Sequence, residues 1–279
     1  MFITTLIIAA LTALATYHGL NHRELQEKWM LEPEGVLARK EWWRLITSGF
    51  VHANWLHFLL NLLGFAMFAQ MLEQVYGPVL LCVVYFGAIV GGNVLALWVH
   101  RREDYRAVGA SGGVCGLMFA SILLFPGMAL NEFLILPVPG WVYAITFMVC
   151  SYHFLKAEAD NIGHDAHMGG AIVGLLLAAL MQPDLARRQW PELTVLLVVS
   201  AVILWWLLRV PYGKGSLVKV STRSDAGGLR HREYEHNRER VAQARRVDAI
   251  LDKISRSGLG ALTEAERRVL EEHSRQRRR

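Results

Sequence analysis

Charge and thiols are both scarce over most of this chain. Residues 1–210 carry 12 Lys/Arg and 14 Asp/Glu, and the whole 279-residue sequence holds three cysteines. Cys82, Cys115 and Cys150 each fall inside an apolar stretch, which excludes a disulfide framework and a thiolate metal site and reads as packing. His-Glu-x-x-His is absent, so the zinc-protease helix is excluded. No nucleic-acid motif accompanies the basic residues, and no nucleic-acid partner is expected.

What is abundant is hydrophobicity, at 53% of residues, too much for an ordinary soluble domain. It points to an all-α, polytopic, integral membrane protein. The charge is segregated. Residues 211–279 hold 17 Lys/Arg against 10 Asp/Glu, so the net charge of +5 resides in the tail. Such a tail suits anionic lipid or a protein partner.

Apolar stretches near the length that spans roughly 30 Å of hydrocarbon occur at 2–20, 54–76, 78–99, 110–126, 133–155, 165–182 and 193–210, giving seven expected spans. Ala13-Leu14-Ala15 resembles a signal-peptidase site, but no positive n-region precedes it, and a retained helix is expected. The polar segment 21–52 carries Trp29, Trp42, Trp43 and Arg44, a composition suited to the headgroup region. Beyond Pro211 a helix is expected over 230–256, ended by Gly258, and Thr263 with Glu266 forms a capping box opening another.

Three spans open with residues that lipid does not explain. The second has His57 and Asn61 at i and i+4, with Gly64 at i+7; the fourth has Ser111 within Gly109-Ala110-Ser111-Gly112-Gly113; the sixth has His167. Successive spans alternate direction, so spans two, four and six begin on one membrane face and these side chains share a depth. Small-xxx-small stripes allow close approach: Gly109 with Gly113, Gly112 with Gly116, and Gly170, Ala171 and Gly174 below His167. Ser111 then reads as a nucleophile and His167 as its base. The helix N-terminus at Ser111, with His57 and Asn61, would stabilise an oxyanion. Asp165, two residues from His167, falls on the wrong face to orient it, so the expectation is a dyad. His52, His153 and His164 are expected in loop or interface roles, and Glu73 in a structural one.

These residues resemble the motifs of the rhomboid family of intramembrane serine proteases. Glu41-Trp42-Trp43-Arg44 is similar to its first-loop Trp-Arg motif; His52, His57 and Asn61 to His-x4-His-x3-Asn; Gly109-Ala110-Ser111-Gly112 to Gly-x-Ser-Gly; and Ala166-His167-Met168-Gly169-Gly170 to Ala-His-x-Gly-Gly. The resemblance implies a six-helix core over 1–185, a linker and an extra seventh helix over 186–210, and a basic, partly helical tail over 211–279. It implies catalysis by Ser111 and His167, with Ser111 N–H, His57, Asn61 and Gly109 forming the oxyanion and substrate-binding site. No cofactor or metal is implied. Partners would be the bilayer and transmembrane protein substrates, and the location the bacterial inner membrane. An inactive relative that binds transmembrane helices in quality control is the alternative, and a histidine-based metal transporter a third class.

Two features depart from the pattern. Cys115 stands where the family usually stacks Tyr or Phe on the catalytic histidine, leaving Phe119 or Tyr152 to compensate. The family also places the active site on the extracytoplasmic face. The first long loop carries Arg23, Lys28, Arg39, Lys40 and Arg44, whereas the opposite face has Arg187 and Arg188, which argues for the reverse insertion. The family orientation is the expectation adopted, since much of that loop is acid-balanced.

Overall fold

The computed structural model describes residues 2–101, 105–125, 127, 138–157 and 163–209, together with Ile250, Lys253, Thr263 and Glu266. Two compact units emerge, Met1–Gly213 and Lys214–Arg279. In the first, α1 (Ile3–Asn21) has a reversed polarity: Thr5, Thr12, Thr16 and Gly19 are buried, while Leu6, Ile7, Leu11 and Leu14 are more than half exposed. Apolar side chains facing outward are favourable only against hydrocarbon, and the inward threonines then find protein partners. Ala13-Leu14-Ala15 lies mid-helix.

The segment expected as an interfacial loop is largely helical, with α2 (Arg23–Trp29), α3 (Pro33–Leu37) and α4 (Arg44–Thr47) followed by a 3-10 turn, Ser48–Phe50. Arg44, 5% exposed, holds it together by donating to the carbonyls of Glu27 and Met30 and to Glu41. Arg39 and Arg44 beside Glu41 keep its carboxyl below the usual carboxylate range.

The expected stretches 54–76 and 78–99 form one long element, α5 (Trp55–Val99), broken at Gly77, whose φ of 82° precedes Pro78. A Cβ at Gly77 would meet nothing, so the residue is there for its dihedral alone. Then follow α6 (Ser111–Leu124), α7 (Gly140–Ala157), α8 (His164–Met181), α9 (Pro183–Arg188) and α10 (Trp190–Arg209). By length and composition α1, α5, α8 and α10 can cross a membrane, and α5 is long enough to cross twice. Against the seven expected spans, α6 has only 14 residues, about 21 Å, and α7 ends on the polar His153 and Lys156. Between described residues, Leu31 and Ala107 form an antiparallel bridge. The chain is an all-α, multi-pass membrane protein.

The centre of the fold is a three-helix contact among α5, α6 and α8, made by glycine. A Cβ on Gly170 would collide with the Gly112 carbonyl, one on Gly174 with the Gly116 backbone, and one on Gly116 with Ala88. At the other end of α5's first half, Glu73 reaches back to α1. Its carboxylate accepts from the Thr4 and Thr5 N–H groups, at 2.8 Å each, and from the Thr5 hydroxyl at 2.6 Å. These are N–H groups of a first helical turn, which no backbone carbonyl can satisfy. The structural role expected of Glu73 is therefore a cap supplied from another helix.

In the second unit Thr263 Oγ1 accepts from Glu266 N–H and Glu266 Oε2 accepts from Thr263 N–H, the expected capping box. Lys253 Nζ also bonds Glu266, and with the Thr263 donors pulls its carboxyl down to about 2. The expected 230–256 helix lies outside the described residues apart from Ile250 and Lys253, both helical.

Candidate functional site

Between α5 and α6 the chain descends through residues 105–110, and each step is tied to the first-loop assembly. Ala107 exchanges two backbone bonds with Leu31, at 2.9 and 3.1 Å, and Gly109 N–H donates to Ser48 O at 2.9 Å. Arg106 faces Glu32 at 3.5 Å. Ala110 N–H donates to His52 Nε2 at 3.3 Å. That fixes the tautomer: the His52 proton sits on Nδ1, 2.9 Å from Thr16 Oγ1, whose own hydrogen goes to Phe50 O. His52 is 1% exposed, and burial, reinforced by the neighbouring His57, pushes its pKa down to about 3. His52 thus lies in the loop as expected, but as a buried three-way tie.

Gly109 has φ +127°, a conformation reserved for glycine, and a Cβ there would stand 2.7 Å from His57 Cε1. Both dihedral and space are demanded, because the His57 ring rests on the backbone two residues before Ser111. His57 is the third residue of α5, its N–H bonded to the Asn54 cap at 2.8 Å. One turn on, Asn61 is buried; its Nδ2 donates to His57 O at 2.9 Å. Asn61 lines a small pocket with His52, Phe58, Tyr85 and Ala110.

Ser111 is the first residue of α6 and His167 the fourth of α8. Both are half-buried. His167 Nε2 lies 2.6 Å from Ser111 Oγ, a short hydrogen bond made possible by the glycine contact one turn deeper. Ala166, between α5 and α6, sets the height: a Cβ on Gly112 would lie 3.2 Å from its carbonyl oxygen. The five residues singled out from sequence fall in two groups: Ser111 with His167, and His57 with Gly109 and, one turn along α5, Asn61. Asp165 is turned away from the His167 ring, as expected, and pairs instead with His100, Nε2 to Oδ2 3.1 Å.

The aromatic neighbour of His167 is neither Phe119 nor Tyr152. Phe147 of α7 lies parallel to the imidazole, with centroids 6.4 Å apart and planes at 29°. Phe119 supports Phe147 edge-on at 5.8 Å, and Tyr152 packs on Trp206. Phe119 and Tyr152 are the expected substitutes, but the ring comes from a helix whose register no motif fixes. His164, buried, meets the His167 ring edge-on at 5.8 Å, closer to the site than its expected loop role. Among the described residues no three His, Cys, Asp or Glu side chains lie together as metal ligands.

Comparison with known proteins identifies the family. The Rhomboid domain family matches residues 39–184, and a family of unknown function, DUF6576, matches 233–276. The rhomboid-family protein YdcA of Bacillus subtilis is 32% identical over 54% of this chain and 73% of its own length. RHOMBOID-like protein 6, mitochondrial, of Arabidopsis thaliana is 30% identical over 62% of this chain and 54% of that protein. Rhomboid protease GluP of Bacillus subtilis is 26% identical over 69% of this chain, which spans 37% of GluP.

Proposed function

The chain belongs to the rhomboid family, and from that premise we propose that it is an intramembrane serine endopeptidase that cleaves transmembrane protein substrates at or near the membrane surface. The observation that carries the reading is the 2.6 Å contact between Ser111 Oγ and His167 Nε2, a nucleophile and a base in hydrogen-bond reach. Ser111 Oγ attacks the scissile carbonyl carbon while His167 Nε2 takes its proton. The tetrahedral intermediate collapses as His167 returns that proton to the leaving amine, and water repeats the sequence on the acyl-enzyme.

Charge on the carbonyl oxygen is met by the unpaired Ser111 N–H at the α6 N-terminus. His57 and the second amide hydrogen of Asn61 complete the set, with Gly109 admitting the substrate carbonyl beside the His57 ring. No cofactor enters. The bacterial cell membrane is the proposed location, to be decided by fractionation, since the named relatives include a mitochondrial protein.

Labelling of the purified protein with a fluorophosphonate tests this. Wild type is expected to label, and Ser111→Ala to be blank. His167→Ala should label at least 100-fold more slowly. Asn61→Ala should keep Ser111 but lose turnover by about 100-fold, the usual effect of removing one oxyanion donor. Labelling that persists in Ser111→Ala removes it as nucleophile. A wild type that stays unlabelled yet captures transmembrane helices favours the inactive binder.

A further inference from the structure

His100 and Asp165 make a buried pair that the proposed chemistry does not use. Asp165 is 1% exposed and His100 6%, with His100 Nε2 3.1 Å from Asp165 Oδ2. Tyr105 lies flat on His100, the centroids 4.0 Å apart and the planes at 2°. Both partners occupy helix ends that suit them. His100 caps the C-terminus of α5, its N–H bonded to Ala96 O at 2.9 Å, where the helix dipole favours a cation. Asp165 is the second residue of α8, where the dipole favours an anion. Neither Asp165 oxygen completes a hydrogen bond, so the 3.1 Å approach of His100 is the contact that offsets burying the carboxylate, and the pair resists separation.

Its position gives it leverage. Asp165 and His167 stand two residues apart, about 200° around the helix at 3.6 residues per turn. One side of the first turn of α8 is therefore fastened to α5, while the other presents the imidazole to Ser111. Ala166 between them is wedged against Gly92 and Gly112. Tyr105 adds a link to the segment that leads to Ser111. We propose that the His100–Asp165 pair is a positioning device that locks the first turn of α8 and so holds His167 over Ser111. It acts through the turn and not by touching the imidazole.

This inference rests on the serine-protease reading, and the experiment separates the two. Fluorophosphonate labelling rate, substrate kcat and KM, and melting temperature are measured for wild type, Asp165→Asn, His100→Leu, the double variant, and His100→Gln, whose amide keeps a polar donor facing Asp165. Asp165→Asn and His100→Leu should each slow labelling and kcat about tenfold, with KM unchanged within twofold. The double variant should be no slower than the slower single, and His100→Gln should recover to within threefold of wild type. Wild-type labelling in folded Asp165→Asn overturns the proposal, as does multiplication of the two single losses. Losses that merely track the folded fraction, His100→Gln included, assign the pair to stability alone and also overturn it. If wild type itself never labels, the protease reading falls first and this inference with it.

Discussion

His167 is hydrogen-bonded to Ser111 and has an aromatic ring 6.4 Å away, centroid to centroid. Phe147 is the aromatic group that meets it where Cys115 offers only a thiol. Phe147→Ala should slow labelling five- to tenfold while leaving Ser111 reactive, since an aromatic pairing of about 1 kcal/mol corresponds to that factor; Phe147→Leu should fall between. A labelling time course at matched folded fraction checks it.

His52 makes a different prediction, for stability. Its Nε2 must be free to accept from Ala110, so the fold holds the neutral ring. Above pH about 6.5 the ring is neutral folded or unfolded and contributes no pH dependence. Between about 6.5 and about 3 the unfolded chain takes up a proton that the folded one refuses. Stability therefore falls as pH falls across that window, by up to about 1.4 kcal/mol per unit, and the slope ends near pH 3. Melting temperatures from pH 7 to 4 should decline less in His52→Gln than in wild type.

At the scale of elements, glycine decides whether α6 and α8 meet. Gly174→Leu would drive a side chain into the Gly116 backbone, which cannot rotate away. The expected cost is about 3 kcal/mol or more, the upper part of the overpacking range, visible as a lowered melting temperature together with lost labelling.

This contact was legible in the sequence because small-xxx-small spacing needs only the helical period. So was the pairing of Ser111 with His167, since alternating spans place both at one depth. The break of α5 was readable at Gly77-Pro78 for a local reason, a positive φ followed by a residue with no N–H. Contacts between elements with no shared period were not readable. Nothing in the order of residues says that His100, at the close of one helix, faces Asp165, at the opening of another. Phe147 was hidden likewise, on a helix without a motif. The 21–52 segment was read as interfacial loop from its Trp and Arg content; its helices depend on Arg44 satisfying carbonyls from two of its turns, a tertiary arrangement.

For the whole molecule the open question is which side of the membrane holds the site. Basic residues in the first long loop argue for the cytoplasm, and the family expectation argues against it. The ion pairs of that loop weigh on the second side. Arg39 and Arg44 are spent on Glu32 and Glu41, so their pull on topology is partly neutralised. A reporter active only outside the cytoplasm, inserted in the 38–41 turn, should be active, and one inserted at 187–189 should be silent. The reverse pattern would invert the orientation.

One dimension of this assembly has a physical reach beyond packing. Fourteen residues give α6 a length of about 21 Å, some 9 Å less than the hydrocarbon it sits in. Ser111 opens a helix that cannot touch both surfaces, so on the proposed reading the scissile bond is selected by altitude as well as by side chain. Bilayer thickness then becomes a variable of the reaction. If Ser111 is the nucleophile, a substrate helix shifted by one turn in a thicker or thinner membrane would bring a peptide bond about 5 Å away to it, and a change of lipid alone would move the cut.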